Sequence, residues 1–360
     1  MPNSRQVKIL NRISRDGFTT AVMFRPENIF YSTAFWGEAV AICTKDGTKL
    51  FVPELEVSRA EAESHECEVI PSQRGKGLIK SLFPSLYNTK ACSDCNDFLL
   101  ANAIHSKVDK GNFVCDSEPF LIVRSVKEQN EIDRIIEASH ILDKLYQTCL
   151  EEIKVGVSER TLQAQLICEA TRLGGSIPNY PYTLNPFIIA AGSNGSFPHA
   201  EISDRCFCDG DLIVVDLTIR YKGYISDATR TFGLGKVSDD KKKAYGIVKM
   251  SQSQGLDAIR PSIKCKDIDL VCRNYISKRG YEKNFIHSTG HGVGLEVHER
   301  PWIRPENDDL LQDNMVITIE PGIYIESKFG VRIEDTVVIN GEKSHNSNAI
   351  TAFTKDLIII

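Results

Sequence analysis

The chain has 360 residues, 42% of them hydrophobic and 25% charged, a composition ordinary for a soluble globular protein and a length that suits two domains better than one. A formal net charge of −5 argues against a nucleic-acid surface, no apolar run approaches a membrane span, and "MPNSRQVKIL" lacks the apolar stretch of a secretory signal. Eleven cysteines, an odd number scattered along the chain, suit reduced thiols in the cytoplasm better than a disulfide framework.

In chain order, residues 1–123 alternate strand-like runs ("TTAVMF", "EAVAICT", "KLFVPE") with a helical one ("ELEVSRAEAES"), which predicts a small N-terminal α/β domain. Cys92 and Cys95 form one C-x-x-C without the second pair that a zinc ribbon needs, so that spacing reads as chance. A second domain is expected over residues 124–360. Ser125-Val-Lys-Glu128 reads as a capping box, and Ile132, Ile135, Ile136 and Ser139 then follow helical spacing. A further helix is predicted in "SERTLQAQLICEATRLGG", stopped by Gly174-Gly175. From residue 185 onward the chain reads as strand and turn, broken by helices near 240–259 and 266–279. Helices on one side of a largely antiparallel sheet make an α+β arrangement. Cys206 and Cys208 read as small apolar residues.

Two aspartates interrupt a β-rich segment, "VVDLTIRYKGYISDATRTF". A hairpin turning at "YKG" puts Asp216 directly opposite Asp227, with Cβ atoms roughly 5 Å apart. Two ionised carboxylates that close repel, so a shared proton, a basic residue or a cation has to offset them. The alternative is a pair of exposed loop aspartates near Arg230. Glu320 repeats the puzzle, ending an apolar strand at Pro321-Gly322, and a hairpin centred on Ser327 puts it opposite Glu334. A bulge at that break would shift the register by one. "SFPHAE" adds His199, "HSTGHGVGLEVHE" adds His287, His291 and His298, and "FGVRIEDTVVI" adds Arg332. Four carboxylates and an imidazole in an apolar setting need more positive charge than one Arg supplies. Two divalent ions meet the need, and oxygen-rich ligands with one imidazole suit Mn, Co, Fe or Zn in a catalytic site.

"FPHAE…GDLIVVDLTIRYKGYISDATRTF…HSTGHGVGLEVHE…TIEPGIYI…GVRIEDT" resembles the metallopeptidases of pita-bread fold, over nearly all of residues 124–360. It is most similar to their proline-specific branch, the Xaa-Pro aminopeptidases and Xaa-Pro dipeptidases (prolidases). "RPENIFYSTAF" weakly resembles the N-terminal creatinase-like domain of that branch. The resemblance implies a dimetal centre held by Asp216, Asp227, His291, Glu320 and Glu334, with Asp227 and Glu334 bridging. It implies outer positions around substrate for His199, His287, His298 and Arg332. Among these, His199, His298 and Glu320 would be catalytic, and His287 and Arg332 would bind substrate. The partners implied are proline-containing di- or oligopeptides, and relatives are often homodimers.

Two positions depart from the family pattern. Thr218 stands where many relatives carry Gly, and Trp302 stands where many prolidases carry Arg. A dipeptidase must recognise the proline carboxylate, which an Arg binds bidentately and an indole does not. The expectation therefore leans toward an Xaa-Pro aminopeptidase that accepts longer peptides, with Arg332, His287 or the N-terminal domain left as other sources of charge. Arg300 is expected on the other face of its strand. Glu320 is expected to move a proton from water to the proline nitrogen. His298 is expected to stabilise the oxyanion together with one metal. A metal-free binding protein, an amidinohydrolase of the same fold and a methionine aminopeptidase are the competing readings.

Overall fold

The computed structural model describes residues 2–180, 183, 187–341 and 349–360; position 185, where strand character was expected to begin, lies outside them. The chain separates into two compact units, Met1–Arg124 and Ser125–Ile360. Among the described residues no helix is long and apolar enough to cross a membrane.

The first unit has strands β1 (Thr20–Met23), β2 (Val40–Thr44), β3 (Gly47–Pro53), β4 (Glu68–Ser72), β5 (Ala91–Ser93) and β6 (Phe113–Cys115). Its helices are α1 (Ser4–Ser14), α2 (Pro26–Thr33), α3 (Val57–Glu63), α4 (Lys76–Leu86), α5 (Phe98–His105) and α6 (Glu118–Ser125). The strands form one sheet in the order β4-β3-β2-β1-β5-β6. β1, β2 and β3 pair antiparallel, while β3/β4 and β5/β6 pair parallel. A parallel pair needs a crossover, which α3 and α5 supply. This is the small α/β unit that the alternating runs predict. Cys92 and Cys95 are buried free thiols within it.

The second unit opens with α7 (Gln129–Glu152), and its cap corrects the expected one. Glu128 is the N-cap, and the Glu131 carboxylate accepts from the Glu128 N–H at 2.8 Å. Ser125 ends α6, and the next two residues are taken up by sheet pairing: Val126 bridges Met315, and the Lys127 N–H donates to Asn314 O at 2.9 Å. The helix therefore starts three residues later. Its buried stripe includes Ile132, Ile135, Leu142, Leu145 and Cys149, while Ile136 is only half-buried. α8 (Glu159–Arg172) is capped by Ser158, whose hydroxyl accepts from Thr161 N–H at 3.1 Å, and ends before Gly174 at φ +82°.

These two helices back an antiparallel sheet of β7 (Phe187–Ala191), β8 (Leu212–Tyr221) and β9 (Tyr224–Gly233), around Leu145, Leu166, Phe187, Val215 and Phe232. A second pair, α9 (Asp239–Ala258) and α10 (Cys265–Ser277), builds a separate core with later strands, around Val248, Leu256, Ile268, Ile317 and Val337. Those strands are β10 (Gly290–Gly292), β11 (Glu299–Ile303), β12 (Val316–Ile319), β13 (Gly322–Ile325), β14 (Phe329–Arg332) and β15 (Asp335–Val338). They form a four-stranded sheet, β11-β10-β12-β15, and a hairpin, β13-β14. The α+β class stands, but with two helix pairs over three sheets instead of one layer on one sheet. A bridge between Thr229 and Glu334 joins β9 to the second group of strands. Cys206 and Cys208 are exposed, contrary to the apolar reading; Phe207 between them is the buried member, as an extended segment alternates.

Candidate active site

The β8–β9 hairpin turns at Lys222 and Gly223, with φ +46° and +91°. Positive φ at both central residues is the I′ turn, whose twist matches that of the flanking strands. The resulting register pairs Asp216 with Thr229 and Thr218 with Asp227, so the aspartates are diagonal rather than directly opposed. The shift of two residues equals the strand period, and both carboxylates keep one face. Thr218, the departure noted in the sequence, donates its hydroxyl to Asp227 Oδ1 at 3.1 Å. Arg230 is not their counter-ion: it is buried on Asp335 Oδ1 at 2.8 Å and on the carbonyls of Thr229, Glu334 and Phe353.

The second acidic pair keeps its register. Gly322 pairs with Arg332 and Ile319 with Asp335, so the Pro321-Gly322 break shifts nothing and leaves Glu320 and Glu334 opposed at the step between two sheets. Thr229 donates its hydroxyl to Glu334 Oε2 at 2.7 Å, while Glu334 Oε1 is buried with no partner among the described residues. His291 stands between glycines on β10. A Cβ at Gly290 would lie 1.9 Å from Thr318 O, so only glycine lets the two strands close on the site. His291 Nδ1 lies 3.0 Å from Gly292 O, and a carbonyl only accepts, so Nδ1 carries the hydrogen. The Nε2 lone pair is left facing Glu320 Oε1 at 3.6 Å and Asp227 Oδ2 at 4.0 Å.

The ligand atoms of Asp227, His291 and Glu334 lie within 4.8 Å of one another, the one such group among the described residues. Burial drives the electrostatics. It pushes Asp227 and Glu320 well above the carboxylate range, helped by Glu334 and Asp216, and pushes Glu334 up to about 8. Burial also pushes His291 down to about 4, so its imidazole is neutral. Arg332 is the only Arg or Lys among the described residues lining the pocket. It pairs with Asp216, not with Glu334 or Asp335, and also donates to Tyr324 Oη at 2.5 Å and Thr229 Oγ1 at 3.1 Å. One guanidinium cannot offset four carboxylates. Together with the unpartnered Glu334 oxygen and the absence of thiolate, this fits a divalent-cation centre of oxygen ligands and one imidazole.

The remaining predicted residues line the same pocket of about 200 Å³. His287 donates from Nδ1 to Ser288 O at 2.8 Å and accepts at Nε2 from Tyr324 Oη at 3.0 Å; burial pushes it down to about 3. His298 is pushed down to about 2 by burial and His291, and its buried Nδ1 has no partner among the described residues. Trp302 lies opposite His291 in the β10–β11 pairing and stacks on His298, centroids 5.7 Å apart and planes at 9°. Tyr180 closes on the same imidazole at 4.7 Å. His199 sits exposed at the rim. Arg300 is outside the lining and pairs with Asp309 at 3.2 Å.

The profile of metallopeptidase family M24 matches residues 133–341, and that of the Creatinase/Prolidase N-terminal domain matches residues 5–145. The chain belongs to metallopeptidase family M24. Among M24 relatives, an Xaa-Pro dipeptidase of Pyrococcus horikoshii is 32% identical over 361 residues, covering 99% of each chain. The crystal structure of the prolidase from Pyrococcus horikoshii OT3 superposes with a TM-score of 0.90 at 31% identity, covering 99% of this chain and 100% of that one. The X-Pro aminopeptidase from Thermotoga maritima MSB8 gives 0.87 at 28% identity, covering 99% of both. The fold of this M24 chain is thus the expected one, a creatinase-like N-terminal domain followed by a pita-bread domain.

Tyr324 and Tyr180 escaped the sequence reading. Tyr324 alternates with Ile323 and Ile325 on a short strand, and a lone Tyr there reads as core. Its hydroxyl, shared between His287 and Arg332, is visible only once β13 is set beside β14 and the segment that precedes β10.

Proposed function

We propose that this chain is a metal-dependent exopeptidase that hydrolyses the Xaa–Pro bond of dipeptides. One observation carries the reading above all: Asp227, His291 and Glu334 converge in a pocket that also holds Asp216 and Glu320. The name Xaa-Pro dipeptidase on the Pyrococcus relative supports the proline and dipeptide parts, and replaces the lean toward longer peptides. Asp216, Asp227, His291, Glu320 and Glu334 would hold two divalent ions. Bound there, these would polarise the scissile carbonyl and lower the pKa of water.

The chain's own groups do the rest. The wall of Tyr180, Val297 and Trp302 offers an apolar surface for the pyrrolidine ring. Asp216 offers carboxylate charge to the free α-amine. Glu320 takes a proton from water at its ionised carboxylate and passes it to the proline nitrogen. That nitrogen is a tertiary amide and leaves only once protonated. His298 is neutral and offers a ring N–H to the developing oxyanion.

A second reading, the Xaa-Pro aminopeptidase, draws on one observation. Arg332 is the sole Arg or Lys lining the pocket among the described residues and is already engaged by Asp216 and Tyr324, which leaves a dipeptide carboxylate poorly matched. The deciding experiment is kcat/KM for Ala-Pro and Ala-Pro-Ala under one metal condition. Preference for Ala-Pro supports the dipeptidase. Equal or better use of the tripeptide moves the assignment to the aminopeptidase.

A further inference from the structure

We propose that Lys127 and Glu299 form a buried strut that positions the His298–Trp302 wall of the pocket; this rests on reading the pocket as a peptidase site. Neither residue lines the pocket. Lys127 Nζ donates to Glu299 Oε1 at 2.8 Å and to Ser125 O at 3.2 Å, with side chains 1% and 2% exposed. A salt bridge this deeply buried is weak support for stability, because desolvating both charges consumes the Coulomb gain; well-packed apolar replacements are often as stable. Its location suggests another use.

Glu299 opens β11 immediately after His298, and Trp302 lies three residues further along that strand. Across the sheet Glu299 pairs with Gly292 and Trp302 with His291, on either side of a register irregularity between His291 and Gly292. An irregular pair of short strands does not fix its own register firmly. The carboxylate is also wedged against the chain that follows β10: a Cβ at Gly294 would lie 2.4 Å from Glu299 Oε1. At the other end, Lys127 is fastened by its backbone to Asn314, and Val126 to Met315, at the entry to β12. β12 in turn runs to Glu320. The strut therefore ties the start of β12 to the start of β11, with His291 on the strand between them. Its loss would move His298 and Trp302 relative to His291 and Glu320. A displacement of about 1 Å at a reacting centre costs roughly 10²-fold in rate.

The test uses the full chain with Trp36→Phe as background, which leaves Trp302 as sole tryptophan. Its emission then reports the wall whether or not a peptide is cleaved. The double variant Lys127→Met/Glu299→Met is expected to unfold cooperatively with Tm at or above the parent's. Its Trp302 emission should shift, and kcat for Ala-Pro should fall about 10²-fold with a smaller change in KM. A folded double variant with parental emission and kcat overturns the proposal. Should the double variant fail to fold, Lys127→Arg decides. It keeps the charge but changes donor reach, and is expected to shift emission and lower kcat; parental values of both overturn the strut. A parent protein that cleaves no Xaa-Pro peptide refutes the proposed function instead, and the emission arms still judge the strut.

Discussion

Asp227→Asn separates the ligand role of this residue from a structural one. In the metal-free protein the carboxyl is pushed up by burial and then by Glu334, Asp216 and Glu320. Its neighbours therefore disfavour the charge, and a neutral amide removes that repulsion. The Thr218 hydroxyl, 3.1 Å from Oδ1, remains available to the new side chain. Metal-free Asp227→Asn should thus melt at or above metal-free wild type at neutral pH. Wild type should gain with metal. An ion at about 1,000 times its Kd adds roughly 4 kcal/mol. For a unit the length of Ser125–Ile360, each kcal/mol moves Tm by about 2–4 °C, so the gain is about 8–16 °C. Asp227→Asn should lose most of that gain and most turnover. Differential scanning calorimetry of chelated protein, with and without Mn(II), reads both effects. A variant that melts well below metal-free wild type yet keeps the full metal gain would make Asp227 a structural residue and not a ligand.

Three further outcomes are expected. His298→Ala should retain the metal-induced rise in Tm while kcat drops by roughly 10²–10³, the scale of one oxyanion donor, because its Nδ1 has no partner among the described residues; loss of the Tm rise would instead place it among the ligands. Trp302→Arg should raise the kcat/KM ratio of Ala-Pro over Ala-Pro-Ala by about tenfold, the scale of one charge-assisted contact to the proline carboxylate, and an unchanged ratio would remove residue 302 from carboxylate recognition. In metal-free protein Glu334, raised to about 8, holds a proton that the unfolded chain releases near pH 4.3. Its contribution is therefore lost as pH rises from about 4.3 to about 8, so wild type should weaken relative to Glu334→Gln across that window in urea melts. A flat difference would show that Glu334 titrates normally.

The carboxylates were legible because strand geometry is periodic, whereas His291 was set apart from its neighbouring histidines only by resemblance. A polar residue in an apolar run declares its face, and even a register wrong by two, as between Asp216 and Asp227, preserves that face. The exact turn was less legible, since "YKG" offers two centres and only the positive φ at Lys222 and Gly223 selects one. The cap of α7 was misplaced because Ser125 satisfies a local rule that sheet pairing of Val126 and Lys127 overrides. What could not be read were contacts between distant segments. Lys127 and Glu299 are 172 residues apart, and Arg230 and Asp335 are 105 apart. Each looks like an ordinary surface charge until the fold buries it. Trp302 was singled out by resemblance, but its stacking on His298 follows only from the β10–β11 register.

The most direct test of a metal-dependent Xaa-Pro dipeptidase is hydrolysis of Ala-Pro and Ala-Ala by chelator-treated protein, before and after two equivalents of Mn(II) or Co(II). No turnover is expected before metal, with recovery after it and strong preference for Ala-Pro. Full turnover without metal, or a reconstituted protein that leaves Ala-Pro intact, would contradict that assignment.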